Sequence, residues 1–106
     1  LVHKIGVTYD TDLIKMKKIP KLIESIINSV DDATFDRCHF TEFANSSLEF
    51  EIVYYIPTNN YSKAMEAQQN INLKIMEEFQ NESIEFAFPT QTINISGANN
   101  MDTSIN

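Results

Sequence analysis

The sequence has only two glycines, Gly6 and Gly97, and neither belongs to a glycine-rich run. A loop that cradles phosphate through backbone amides needs several closely spaced glycines, so a phosphate-binding loop of that kind is excluded. The single cysteine, Cys38, cannot form an internal disulfide, and no signal-peptide pattern opens the chain. Both features point to a reducing, cytosol-like surrounding. Basic residues are scarce, 8 against 15 acidic ones, giving a formal charge of −7. That balance opposes a nucleic acid or an anionic lipid surface as partner, and none is expected. No apolar run approaches the roughly 20 residues that cross a bilayer, so the sequence as it stands holds no membrane span. It begins at Leu1, already inside a strand-like pattern, as expected of a piece cut from something longer.

What is present reads as one domain. A hydrophobic content of 42% and a charged content of 22% are ordinary for a globular fold. A chain of this length buries roughly 65% of its unfolded surface, enough for a single core without disulfides or metal. From Val2 to Tyr9 the side chains alternate, with His3, Ile5, Val7 and Tyr9 opposite Lys4, Gly6 and Thr8, the period of a half-buried strand. Asp10 or Thr11 is expected to cap a short helical turn over Asp12 to Lys18. Pro20 disfavours helical geometry at Ile19 and suits a first helical position, which predicts a fresh helix from Pro20 to Val30. Leu22, Ile23, Ile26, Ile27 and Val30 form its apolar stripe.

Thr34 to Phe43 reads as a second strand, where a bulge would reconcile Phe35 and Phe43 with the opposite parity of Cys38 and Phe40. The turn "ANSS" leads to a third strand with Leu48, Phe50, Ile52, Tyr54 and Ile56 on one face. Pro57 ends it. A long helix is predicted over Tyr61 to Asn81, with Tyr61, Ala64, Met65, Gln68, Ile71, Ile75 and Phe79 inward and Leu73 pointing away. Leu73 is then either solvent-facing or in contact with a neighbouring subunit. A fourth strand is expected over Ile84 to Phe88. Pro89 interrupts it before a further strand in "TQTINI". The polar tail 97–106 is expected to be disordered.

The order βαββαβ plus one terminal strand predicts an α+β fold, a ferredoxin-like sandwich with both helices on one sheet face. The expected divisions are 1–89 for the α/β domain, 90–96 for the terminal strand and 97–106 for the tail. The opposite sheet face carries Lys4, Thr8, Glu49, Glu51, Val53 and Tyr55, a mixture that suits a second packed module.

No catalytic, cofactor-binding or metal-ligating set emerges. Cys38 and His39 are neighbours on a strand, so their side chains leave on opposite faces and cannot form a thiolate pair. His3 and His39 lack the spacing of a metal pair. Asp10 and Asp12 could hold a cation in a loop, but helix capping explains both more simply. Glu49, Glu51, Glu77, Glu78, Glu82 and Glu85 read as solvated surface, or as a field that concentrates cations if many copies surround a water-filled space. A ferredoxin-like module binding a small ligand between subunits is a further reading on fold grounds, although no converging polar pocket is visible. An acylphosphatase-like enzyme is disfavoured by the missing glycine-rich anion loop.

Four collinear blocks carry a resemblance: "IGVTYDT" (5–11), "FDRCHFTEFANSSLEFEIVYYI" (35–56), "QQNINLKIMEEF" (68–79) and "IEFAFPTQT" (84–92). Together they resemble the C-terminal cytoplasmic domain of the small-conductance mechanosensitive channel (MscS) family. "KIPKLIESII" resembles the branch whose first helix begins with proline. The resemblance implies a cell-membrane parent with upstream membrane helices and a β domain. Seven copies would form a hollow cytoplasmic cage with side portals, and a tension-gated pore would release ions and small solutes on hypo-osmotic shock. It implies no enzyme activity and no cofactor. It also implies that Thr90, Gln91, Thr92, Ile93, Asn94 and Ile95 form an oligomer interface, one strand of a small barrel shared with symmetry mates. A lone strand leaves backbone groups unpaired, and closing a ring of strands satisfies them.

Overall fold

The computed structural model describes residues 1–87; positions 88–106 lie outside the described residues, and with them Pro89, the predicted strand 90–96 and the tail. Five elements follow in order: β1 (Val2–Val7), α1 (Leu13–Asn28), β2 (Thr34–Phe43), β3 (Leu48–Tyr55) and α2 (Tyr61–Asn81). The fold is α+β. The three strands make an antiparallel sheet in the order β1-β3-β2. Of the expected fourth strand, the described residues contribute one antiparallel bridge between Phe86 and Val7, on the free edge of β1.

Alternation in β3 decides which sheet face is buried. Leu48, Phe50, Ile52 and Tyr54 share one face and are almost wholly shielded. With Val7 and Cys38 they join residues of both helices in one cluster, so both helices cover the same face. The register places Cys38 beside Ile52 and His39 beside Glu51, on opposite faces as alternation requires. β2 carries two irregularities, between Phe35 and Arg37 and between Phe40 and Glu42. Two bulges therefore bring Phe35, Cys38, Phe40 and Phe43 all opposite inward-facing residues of β3.

α1 differs from expectation. It is one helix from Leu13 to Asn28 with Pro20 inside it, rather than a turn followed by a new helix. Ile19 is fully buried and lies in one row with Ile23, Ile26 and Ile27. Burying one such side chain contributes about 1.5–3 kcal/mol, comparable to the ~3 kcal/mol cost of an interior proline. Breaking the helix at Ile19 would forfeit that row. The cap is Asp12, whose side chain accepts from the Lys15 amide at 2.9 Å, and not Asp10 or Thr11. Asp10 instead accepts from the Thr8 hydroxyl.

α2 has the predicted bounds but a rotated inner face. Its buried residues are Ala67, Ile71, Ile75 and Phe79, a strict i, i+4 row, whereas Tyr61 and Met65 are exposed. Larger side chains on the neighbouring rows pulled the predicted stripe toward them, and Ala67 was missed because it is small. Leu73 is exposed, as expected.

The end of α2 aims the chain back at the sheet. Ser83 takes a left-handed conformation, φ 58°, its amide bonds the Gln80 carbonyl at 3.1 Å, and the Ile84 amide bonds the Phe79 carbonyl at 2.8 Å. This is a Schellman closure with serine where glycine is usual. Beyond it, the Thr8 amide bonds the Glu85 carbonyl at 3.1 Å and the Ala87 amide bonds the Gly6 carbonyl at 2.9 Å. The chain therefore leaves the described region alongside β1. Gly6 is needed here for space: a Cβ would lie 2.9 Å from the Ser47 Cβ.

Candidate functional site

Among the described residues, no group of three or more His, Cys, Asp or Glu could hold a metal ion. Cys38 is buried, and burial pushes its thiol up to about 12, which removes the thiolate that a nucleophile needs. His39 is exposed on the other face. The six residues expected at an oligomer interface, Thr90 to Ile95, lie outside the described residues.

One polar cluster lies at the margin of the core. His3 Nε2 stands 3.1 Å from the Tyr54 hydroxyl and 3.1 Å from Gln68 Nε2, and its ring stacks on Tyr54 with centroids 5.2 Å apart. The cluster ties β1, β3 and α2 together. Burial lowers the His3 pKa and raises that of Tyr54. The folded state thus favours neutral imidazole. A base whose pKa falls on folding takes up its proton more readily when unfolded, so stability is full above the ordinary histidine range and lost as pH drops through it. Thermal melts between pH 7.5 and 5 are expected to show a decline that His3→Gln flattens. A wild-type profile no steeper than that of the variant would contradict the assignment.

The outward sheet face arranges its charges in cross-strand rows. Lys4, Glu51 and His39 share one row, and Val2, Val53 and Arg37 another. Val53 is buried on this face at 4% exposure, outside the main cluster. Arg37 pairs with Asp36 at 3.0 Å, and Asp36 also accepts from the Tyr55 hydroxyl.

Two apolar surfaces stand out, and of their residues the sequence singled out only Leu73, as solvent-facing or in contact with a neighbouring subunit. Between α1 and the β2–β3 hairpin, Leu13, Met16, Pro20, Phe40 and Phe43 line a groove of about 480 Å³ floored by Leu48 and Phe50. Phe43 is 74% exposed. The double bulge in β2 creates this groove, and parity alone could not foretell it. On α2, Tyr61, Met65, Leu73 and Met76 are exposed along a strip free of charge.

These features describe an acidic α+β domain that presents contact faces, with no converging reactive set among its described residues. The family model described as "Mechanosensitive ion channel MscS, C-terminal" matches residues 1–86, which gives the class as membrane ion channels. The chain belongs to the MscS family of mechanosensitive ion channels, and it corresponds to part of the C-terminal region. It is 41% identical over 95 residues to the large-conductance mechanosensitive channel MscMJLR of Methanocaldococcus jannaschii, covering 84% of this chain and 26% of that protein. It is 38% identical over 91 residues to the small-conductance channel MscMJ of the same organism, covering 84% and 26%. The low conductance mechanosensitive channel YnaI of Escherichia coli is 29% identical over 92 residues, with the same two coverages, 84% and 26%. The chain thus spans about a quarter of the length of these relatives. The family is one of ion channels and not an enzyme class. Among the described residues no helix is long and apolar enough to cross a membrane.

Proposed function

We propose that this chain is the cytoplasmic cage domain of a mechanosensitive channel that releases ions and small solutes on hypo-osmotic shock. Seven copies stand in a ring beneath a membrane pore supplied by other parts of the protein. Residues Thr90 to Ile95 add one strand per copy to a shared barrel. The observation that carries this reading is the family match over residues 1–86. Two observations support the barrel: residues 84–87 run along the edge of β1, and the sequence of 90–95 alternates as a further strand would.

Removal of residues 90–106 from the full-length protein tests the proposal. The expected result is weaker subunit assembly, read by cross-linking in membranes, together with poorer survival of osmotic downshock. Unchanged stoichiometry and unchanged rescue would overturn the barrel role.

A further inference from the structure

The two apolar surfaces lie on opposite flanks of the domain. β3 separates β1 from β2, so those strands form opposite edges of the described sheet. The groove combines α1 with β2. α2 lies on the β1 side, joined to it through Gln68 and His3 and stacked through Phe79 on Phe86, with centroids 5.1 Å apart. Its exposed strip is marked by Tyr61 at 78%, Leu73 at 54% and Met76 at 60% exposure; Met76 lies beside Ile84 and Phe86 on the β1 side, whereas Leu73 borders a depression shared with Ser29 and Asp32 at the end of α1.

Charge decides what can cover them. Each copy carries −7, so two copies repel wherever their acidic surfaces meet. The strip avoids this, because Lys63, Glu66, Lys74, Glu77 and Glu78 all fall on the remaining circumference of α2 at about 100° per residue. Lys17 is the one charged residue lining the groove, and Lys21 follows one turn later on the same helix. Glu66 and Glu77 stand next to Leu73 at the edge of the strip, with Lys63 and Lys74 further round the same helix. Apolar centres can therefore meet with oppositely charged rims, the anatomy of a specific interface.

We propose that the α2 strip of one copy seats in the α1–hairpin groove of the next, head to tail. This rests on the assembly reading given above and names the surfaces that would join its subunits. A contact between opposite flanks of identical copies repeats around a ring and covers both apolar surfaces. A two-fold contact through either surface alone would leave the other bare.

Variants of the 106-residue chain with one added cysteine test the pairing, with Cys38 retained because its buried, protonated thiol is inert while folded. Met76→Cys and Phe43→Cys proteins are oxidised separately and mixed, and disulfide dimers are counted. The mixture is expected to cross-link several-fold faster than either protein alone. In sedimentation, Leu73→Glu should weaken self-association of the chain, with an unchanged circular dichroism melt showing that it still folds. Like-with-like cross-links equal to the mixed ones would overturn the head-to-tail pairing. Assembly with no cross-link, and indifferent to Leu73→Glu, would overturn the surfaces named here while leaving the barrel reading intact. A chain that stays monomeric at all concentrations would also overturn this inference. The barrel reading is decided separately, by the deletion of 90–106 in the full-length protein.

Discussion

Replacing Phe79 by alanine is expected to destabilise the domain by about 3–5 kcal/mol, the range for truncating a fully buried aromatic. Phe79 has no exposed surface and belongs to the cluster shared by both helices and the sheet. Its ring stacks on Phe86 with an interplanar angle of 12°, and its carbonyl accepts from Ile84 in the closure of α2. The substitution removes core volume and also the surface against which the returning chain rests. Denaturant unfolding measures the first loss. Hydrogen exchange measures the second: the Thr8 and Ala87 amides, bonded to Glu85 and Gly6, should lose more protection than amides within β3. A loss below 1 kcal/mol, or uniform loosening, would show that the segment after α2 is held by something else.

Replacing Pro20 by alanine should stabilise the domain by about 2–2.5 kcal/mol. Alanine restores the amide that can bond the Met16 carbonyl and removes the ring's clash with the preceding turn, together worth ~3 kcal/mol in an interior position. The gain is offset in part by the freer unfolded chain, by about 0.4–1 kcal/mol. Pro20 also lines the groove, where its ring packs near Phe40 and Phe43. A destabilised variant would mean that the groove depends on the ring more than α1 suffers from it. Chemical denaturation with both proteins in parallel decides the sign.

Local pattern revealed the elements and much of the core. β3 was legible because strict alternation permits one assignment of its faces, and Phe50, Ile52 and Tyr54 are buried accordingly. Cys38 and His39 part to opposite faces for the same reason. The breaks in legibility occur where long-range packing outweighs a local preference. Proline at position 20 argues for a helix start, yet the buried row Ile19, Ile23, Ile26 and Ile27 keeps α1 continuous across it. In α2 the i, i+4 row through Ala67 faces the sheet, since a small residue allows close approach there and Met65 can remain outside.

The candidate surfaces were less legible than the fold. Exposed Phe43, Leu13, Met65 and Met76 resemble core residues in composition, and no period within one element tells that they lack a neighbour. His3 illustrates the same gap. Its alternation marks it as inward, but the pairing with Tyr54 and Gln68 joins residues more than fifty positions apart.

By itself the sequence determined the class of the fold, the acidic character of the chain, and the family resemblance, because each depends on residue type and order along the chain. Tertiary structure alone decided that α1 runs unbroken and that α2 is turned by one row. It also decided that two apolar faces stand on opposite flanks, and that the chain beyond α2 returns along β1. These depend on which surfaces compete for the same interior, a balance of burial energies between segments distant in sequence.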